Sequence, residues 1–491
     1  MNLMKVLLIN PPVTVSKKDI PRPFPLLGLA YLASVIKKKG HSVCIIDTFA
    51  SGFDNVKAFK SRRRYGLSES IIKNKIKKFN PDVIGISFMY TAHKDDAHKI
   101  ATISKQYNKS IKVIAGGSHA STDPKEVLNN ENVDIVVIGE GEETIIELLS
   151  AFNSETSLNK ISGIAFKKKQ KVILNKPRKI IKNLNKLPFP SFELLPLNTY
   201  RKIQRFENYN LRSSVIPLIT SRGCPESCIF CSTKNVWGTR WTYRSVKNVI
   251  QEIRLVTSHL HFKEICFLDD NISINKKRLF NLCDNIQQEN KDIKWTVPNG
   301  MAIKSFDKYI LTKMYKSGCY KIIFALESGN YETLHFIRKM YNFKHAKKII
   351  NYANKLGIWT MGTFILGFPY EKKKSMMDTI NYAINLNLDF AVFYTATPFP
   401  NTDLYNIFIK EKLIFNHDTS IEIGGANSKY FSSTQLNKFR LYAQRRFIKS
   451  KLFNPWKIII KIKTLEHLTF VLRIVFVDFF KIPKIKKILL D

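Results

Sequence analysis

Acidic residues are scarce in this chain. Asp and Glu number 39 against 79 Lys and Arg among 491 residues, a formal net charge of +40. Cysteine is scarcer still: seven residues, an odd number, are too few for a disulfide scaffold. No apolar run reaches the roughly 18 residues that would span a bilayer. The segment Met1–Pro12 runs straight into a strand-like pattern and lacks the cleavage region of a signal peptide. A soluble, reducing, cytoplasmic setting is expected. Glycine is sparse at 20 residues, and no short-period repeat or low-complexity tract is visible.

What remains is the composition of a folded protein, 44% hydrophobic and 24% charged, long enough for two or three domains. The surplus of Lys follows the whole chain, as a compositional bias does, rather than gathering in one nucleic-acid-binding patch. Arg62-Arg63-Arg64 beside Tyr65 is consistent with phosphate contacts, and an RNA-modifying enzyme is one alternative. No RNA-binding module is recognisable, so nucleic acid is not the expected partner.

The first 150 residues alternate short β-branched runs with amphipathic segments. Residues 5–9, 42–46, 83–88, 112–115 and 134–138 read as buried parallel strands, with helices over 26–38, 67–78, 94–106 and 142–151 between them. This is a βαβ series and predicts a doubly wound, Rossmann-like α/β domain over residues 1–152, whose ligand sits at the carboxyl ends of the strands. Those ends carry Asn10-Pro11-Pro12, Asp47-Thr48, Ser87, Gly116-Gly117-Ser118-His119 and Gly139-Glu140-Gly141-Glu142. Residues 153–212 read as a linker with a hairpin over 161–174. From residue 213 to 410 a second βα series has six strand candidates: 216–220, 264–268, 294–298, 321–325, 361–365 and 390–395. It predicts a partial (βα)6 barrel with function at the strand carboxyl ends. Residues 411–491 form a helical, basic C-terminal region.

The sharpest chemical signal follows the first strand of that series: Cys224, Cys228 and Cys231, spaced C-x3-C-x2-C. Thiolates are soft ligands suited to zinc or iron–sulfur clusters. A structural zinc site needs a fourth ligand, and His259 and His261 lie at the amino end of the next strand, away from this loop. Three thiolates on a 4Fe-4S cluster leave one iron open to an exogenous ligand. Pro225, Glu226 and Ser227 are turn formers, so three unrelated core cysteines are not expected here. Cys44, Cys266, Cys283 and Cys319 sit in apolar or helical contexts and read as core.

The spacing resembles the radical S-adenosylmethionine (SAM) superfamily, in the branch with an N-terminal cobalamin-binding domain, which includes C-methyltransferases and the magnesium-protoporphyrin monomethyl ester oxidative cyclases. Further landmarks fall in that family's order. Phe267–Asn271 ends the second barrel strand. Asn299-Gly300 ends the third, with Ala302 where the family often has Arg. Glu327-Ser328-Gly329 ends the fourth. Gly362–Pro369, with Glu371 following, ends the fifth. Ala396–Thr402 resembles a P-x-P-G-T turn in which Asn401 replaces Gly. The resemblance implies a 4Fe-4S cluster on Cys224, Cys228 and Cys231, and a SAM site involving Phe230, Asp269, Glu327, Ser328, Gly367 and Thr397. It also implies a cobalamin site at Ser87, Gly116, Gly117, Ser118, Gly139, Glu140 and Gly141. The cluster's electron then cleaves SAM to a 5′-deoxyadenosyl radical, with the electron supplied by a donor such as flavodoxin or ferredoxin.

The D-x-H-x-x-G signature of a cobalt-ligating His is absent. Asp96-Ala97-His98 has Ala101 in place of Gly and falls inside a predicted helix. His119 is the remaining candidate, against its reading as a hydrogen-bonding loop residue. The resemblance therefore implies cobalamin without a His lower ligand; a Rossmann-like domain that has lost its cofactor is the alternative. The leading reading is methylation of an unactivated carbon of a small-molecule or lipid substrate. A non-methylating, ring-forming reaction on a porphyrin or lipid is the alternative reaction, and a non-catalytic iron–sulfur protein the bland one. From Lys438 onward 14 Lys/Arg face 3 Asp/Glu between apolar runs. That tail either caps the barrel with a solvated basic face or lies on an anionic membrane surface.

Overall fold

The computed structural model describes residues 3–17, 21–59, 61–154, 156–169, 171–207, 210–212, 214–289, 292–416, 425–452 and 455–481. Two compact units emerge, Met1–Gln204 with Lys234–Gly238, and Arg205–Thr233 with Thr239–Asp491.

The first unit is built on a seven-stranded sheet. Its five parallel strands are Lys5–Asn10, Ser42–Asp47, Val83–Ser87, Lys112–Gly116 and Ile135–Val137. Numbered along the chain they lie in the order 2-1-3-4-5, one of the two common doubly wound orders. The order reverses between Lys5–Asn10 and Val83–Ser87, and that switch point is where such sheets hold ligands. These strands are apolar because both faces are covered: Val6, Leu7, Ile9, Val83, Ile84 and Val113 are fully buried. The hairpin expected in the connecting stretch is Ile164–Lys168 with Lys171–Leu174. It pairs antiparallel with Ile135–Val137 and so completes the first sheet.

A separate antiparallel sheet of Val13–Ser16, Arg62–Tyr65 and Val56–Phe59 was not expected. The three arginines form its central strand, and Arg64 is ion-paired to Asp96 at 3.4 Å. That geometry uses Arg64 structurally.

The second unit carries six parallel strands in chain order: Val215–Leu218, Glu264–Phe267, Lys294–Met301, Cys319–Glu327, Trp359–Leu366 and Phe390–Thr395. Each pairs with the next through a crossover that contains a helix, the arrangement of an open (βα)6 barrel. Outward side chains such as Phe364 and Phe393 are fully buried under the helices. On the opposite face, Ala325, Thr363 and Val392 are register neighbours, as are Ile365 and Tyr394, and all five are half-buried. The concave face is therefore only partly covered.

The C-terminal region is mainly helical, with Ser433–Leu452, Trp456–Ile459 and Leu465–Lys481. Phe470, Val471 and Ile474 pack on Tyr320 and Trp359. The end of the basic tail, residues 482–491, and the side chains of 475–481 lie outside the described residues.

Candidate functional site

The cysteine loop is positioned by carboxylates from the second barrel strand. Asp269 is fully buried and accepts from Thr220 N at 2.9 Å, Thr220 Oγ1 at 2.5 Å and Ser221 Oγ at 2.6 Å. Asp270 accepts from Gly223 N at 2.9 Å, just before Cys224, and from Thr233 Oγ1 at 3.3 Å, two residues after Cys231. One carboxylate thus fixes the end of the first strand and the other holds both ends of the loop. Burial lifts both carboxyls above the usual range, against the pull of these hydrogen bonds. Gly223 has φ +83°, a left-handed turn that glycine takes without strain.

Cys228 is buried, while Cys224 and Cys231 are half-buried. Burial pushes the Cys228 thiol up to about 11, opposed by the Lys339 ammonium, with the Cys231, Glu327 and Cys224 charges adding to the rise. Cys224 is raised by burial in the same way. Among the described residues no three His, Cys, Asp or Glu side chains close on one point as the ligands of a single ion do. A cubane cluster takes each thiolate on a different iron, so its ligands stand wider apart. Three thiols on one loop, within electrostatic reach of one another and of a cation, fit that donor set.

The fourth-strand turn faces the same loop. Glu327 has φ +66°, a costly conformation for a side-chain-bearing residue, at a shift in register with the fifth strand. Its Oε1 accepts from Lys339 Nζ at 2.7 Å. Burial opposes the Lys339 charge, but Glu327 and the thiols of Cys228 and Cys231 outweigh it and raise the ammonium's pKa. The Lys339 ammonium also stands 5.8 Å from the Phe230 ring centroid, and Phe230 contacts Phe368 at 6.2 Å. Lys339 is thus central to a site in which the sequence alone gave it no motif.

The remaining expected SAM residues divide by environment. Ser328 is fully buried, its hydroxyl 2.9 Å from Thr379 Oγ1 and accepting from Asn330 N at 3.1 Å. With Asp269, it is turned to holding the turns rather than left open. Gly367 has φ +84°, and its amide donates to buried Glu371 at 2.6 Å. Glu371 also accepts from Phe368 N, and burial pushes its carboxyl up to about 7. Thr397 is half-buried, with Oγ1 donating to Thr395 O at 3.3 Å. Asn401 has φ +60°, the left-handed turn expected of a Gly replacement. The half-buried Thr363, Val392 and Tyr394 had no motif to mark them; only strand alternation points to them.

In the first unit, Ser87, Gly116 and Gly139 end or follow neighbouring strands at the carboxyl edge of the sheet. Gly117 has φ +117°, and a Cβ there would lie 2.8 Å from Phe88 O, so only glycine fits. Ser118 and Gly141 are half-buried. Gly139 N donates to Ser121 Oγ at 2.9 Å. Glu140 is buried and accepts from Ile181 N at 2.6 Å, so its carboxylate is committed within the fold. Met89 and Tyr90, 45% and 53% exposed just past Val83–Ser87, offer an apolar surface beside the small residues. Small turns plus exposed apolar side chains at the sheet edge fit a large flat ligand.

His119 is 3% exposed, with Nδ1 3.1 Å from Thr91 Oγ1 and Nε2 3.0 Å from Glu126 Oε2. Both ring nitrogens are engaged, as for a hydrogen-bonding loop residue. His98 lies within the helix Lys94–Tyr107, also against Glu126.

Comparison with known proteins gives the same two halves. Residues 18–149 match the B12 binding domain model, and residues 218–383 match the radical SAM superfamily model. An uncharacterized methyltransferase of Pyrococcus horikoshii is 34% identical over 447 residues, covering 89% of this chain and 91% of the relative. The cytidylyl-2-hydroxyethylphosphonate methyltransferase of Streptomyces wedmorensis is 30% identical, covering 84% of this chain and 82% of that protein. The fold is similar to that of the radical SAM methyltransferase TsrM from Kitasatospora setae, solved with cobalamin and a [4Fe-4S] cluster. The TM-score is 0.70, over 84% of this chain and 81% of that one, at 16% identity.

Proposed function

Since the chain belongs to the cobalamin-dependent radical SAM methyltransferase family, we propose that it methylates an unactivated carbon of a small-molecule or lipid substrate. Its cofactors are cobalamin, a 4Fe-4S cluster and SAM. When bound, they supply hydrogen abstraction and the transferred methyl group. The observation that carries the proposal is the cysteine loop, held at both ends by Asp270 and set beside the Glu327–Lys339 pair.

In this reading Cys224, Cys228 and Cys231 hold the cluster. Lys339 offsets thiolate charge there, and Phe230 and Gly367 shape the approach of SAM. Ala325, Thr363 and Val392 line the concave face where the reacting carbon is held and water excluded. The turns Gly116–Ser118 and Gly139–Gly141 receive cobalamin, with Ser87 beside them. His119 stays on Thr91 and Glu126 and so would not be offered to cobalamin. A flavodoxin- or ferredoxin-type donor reduces the cluster.

The test is direct. Anaerobically reconstituted wild type forms 5′-deoxyadenosine from SAM on reduction, and the Cys224→Ala/Cys228→Ala/Cys231→Ala variant loses this to background, measured by chromatography. Continued formation by the triple variant would overturn the assignment. SAM with a deuterated methyl group then separates the outcomes: label in the product supports methyl transfer, and an unlabelled ring-formed product refutes it.

We also propose that the C-terminal helices touch an anionic membrane surface. No described helix is long and apolar enough to cross a membrane. Support comes from Trp456, Ile460 and Leu465, 68%, 72% and 73% exposed, with Lys457 and Lys463 among them.

A further inference from the structure

A cleft of about 230 Å³ opens in the second unit, apart from the cysteine loop and the Glu327 turn. Two helices begin at it. Val246–Arg254 is capped by Ser245, which accepts from Asn248 N, and Lys276–Gln288 is capped by Asn275, which accepts from Arg278 N. The first amides of a helix have no intrahelical acceptor, and the helix dipole concentrates positive potential there. Two such ends at one cleft reinforce each other.

The side chains add to this. Arg244, Lys277 and Arg278 line the cleft, and among the described residues no carboxylate does. Arg244 is paired with buried Glu252. Arg278 is 6% exposed; Nε donates to Arg244 O at 3.0 Å, and Nη2 to Thr220 O at 3.0 Å and Arg244 O at 2.9 Å. Its Nη1 is buried and has no hydrogen-bond partner among the described residues. Asp269 acts on Arg278 through its charge, but its oxygens are engaged by Thr220 and Ser221. A buried guanidinium donor without an acceptor is uncommon in a folded protein. Beside it Tyr243, 47% exposed, stacks on Trp241 at 4.6 Å, and the guanidinium lies 5.4 Å from the Tyr243 ring.

We propose that this cleft binds the phosphate of a small phosphorylated molecule, with Tyr243 as the platform for an attached ring. Its volume falls below the roughly 300–1,000 Å³ of a pocket that swallows a drug-sized ligand. It takes a head group and leaves the rest of the ligand outside. Because Arg278 grips Thr220, whose amide and hydroxyl are held by Asp269, an anion there bears on the strand end that leads into the cysteine loop. The phosphate belongs either to the substrate or to a separate nucleotide.

Calorimetric titration of the reconstituted holoenzyme in phosphate-free buffer tests this, with inorganic phosphate, AMP and adenosine as probes. Phosphate and AMP bind and adenosine does not. Lys277→Glu weakens AMP by about tenfold or more, the loss of a charge-assisted contact. Tyr243→Ala weakens AMP and spares inorganic phosphate. Iron content and SAM cleavage equal to wild type show that Lys277→Glu and Tyr243→Ala are folded, and a cooperative thermal unfolding transition shows it for Arg278→Lys. AMP that alters substrate-free SAM cleavage in wild type, and not in Lys277→Glu, identifies a separate nucleotide. AMP that binds without altering it identifies the substrate's own phosphate. Absence of phosphate and AMP binding at millimolar concentration, or binding unchanged in both Lys277→Glu and Arg278→Lys, overturns the proposal.

Discussion

At Asp270 one carboxylate reaches both ends of the cysteine loop, while its neighbour Asp269 turns back to the first strand. The sequence marks the pair but not the division between them. Adjacent residues that leave a strand point in different directions, and no spacing rule encodes which one meets the loop. The three cysteines were legible because metal chemistry imposes a spacing. Lys339 was not, because it meets Glu327 and the thiols only through the fold. Glu371 was legible merely as a follower of the fifth-strand turn. Its folded carboxyl titrates at about 7, above the ordinary value of about 4.5. Between those pH values the folded state keeps a proton that the unfolded chain has lost. Stability from this group therefore falls as pH rises from 4.5 to 7 and stays low above it. Glu371→Gln keeps acceptor and donor positions without the charge. Relative to wild type it should gain roughly 2–3 kcal/mol in going from pH 5 to pH 8, measured by denaturant unfolding. A difference independent of pH would refute this.

At the scale of elements, eleven parallel strands were readable as short runs rich in apolar and β-branched residues. Burial on both faces leaves that signature unbroken in strands such as Val83–Ser87, and in the barrel strands it survives because even the inner face is half-buried. The sheet of Val13–Ser16, Val56–Phe59 and Arg62–Tyr65 was missed for the converse reason. Val56–Phe59 is exposed throughout, Val13–Ser16 is mostly half-buried, and Arg62–Tyr65 carries charge at three of its four positions, so no apolar pattern marks them. The helix Leu465–Lys481 shows both kinds of face. Phe470, Val471 and Ile474 enter the core, whereas Leu465, Leu468 and Leu472 are 73%, 39% and 56% exposed. If the outer face and the Trp456–Ile460 turn meet lipid, wild type floats with anionic vesicles and Trp456→Glu/Ile460→Glu does not. The shift is lost at high salt, where attraction to the headgroups is screened. Equal recovery of both proteins would sink the membrane proposal.

For the whole molecule, each unit has its own sheet and its own core. The cofactor sites should therefore be separable. The triple cysteine variant should take up cobalamin to within about twofold of wild type while holding no iron, since the proposed cobalamin turns and the cysteine loop belong to different compact units. Absorbance spectra and iron analysis after desalting provide the measurement, and loss of cobalamin together with iron would refute it. The architecture was legible from the alternation of elements, and the cofactors from the motifs placed on it. The substrate was not, because the half-buried concave face is read from register, and register gives no atom-level shape.

The second sheet's strands lie side by side in the order in which the chain is made. Each new strand leaving the ribosome finds its partner already waiting as the growing edge, separated only by a crossover of one or two α-helices. No strand has to be inserted between two that have paired. Such a sheet grows vectorially, with short loop closures at every step. The strand Phe390–Thr395 comes last, and until it arrives the Trp359–Leu366 edge stands open. In the interval between those two strands, as at each earlier step, the nascent chain needs protection from pairing with its neighbours.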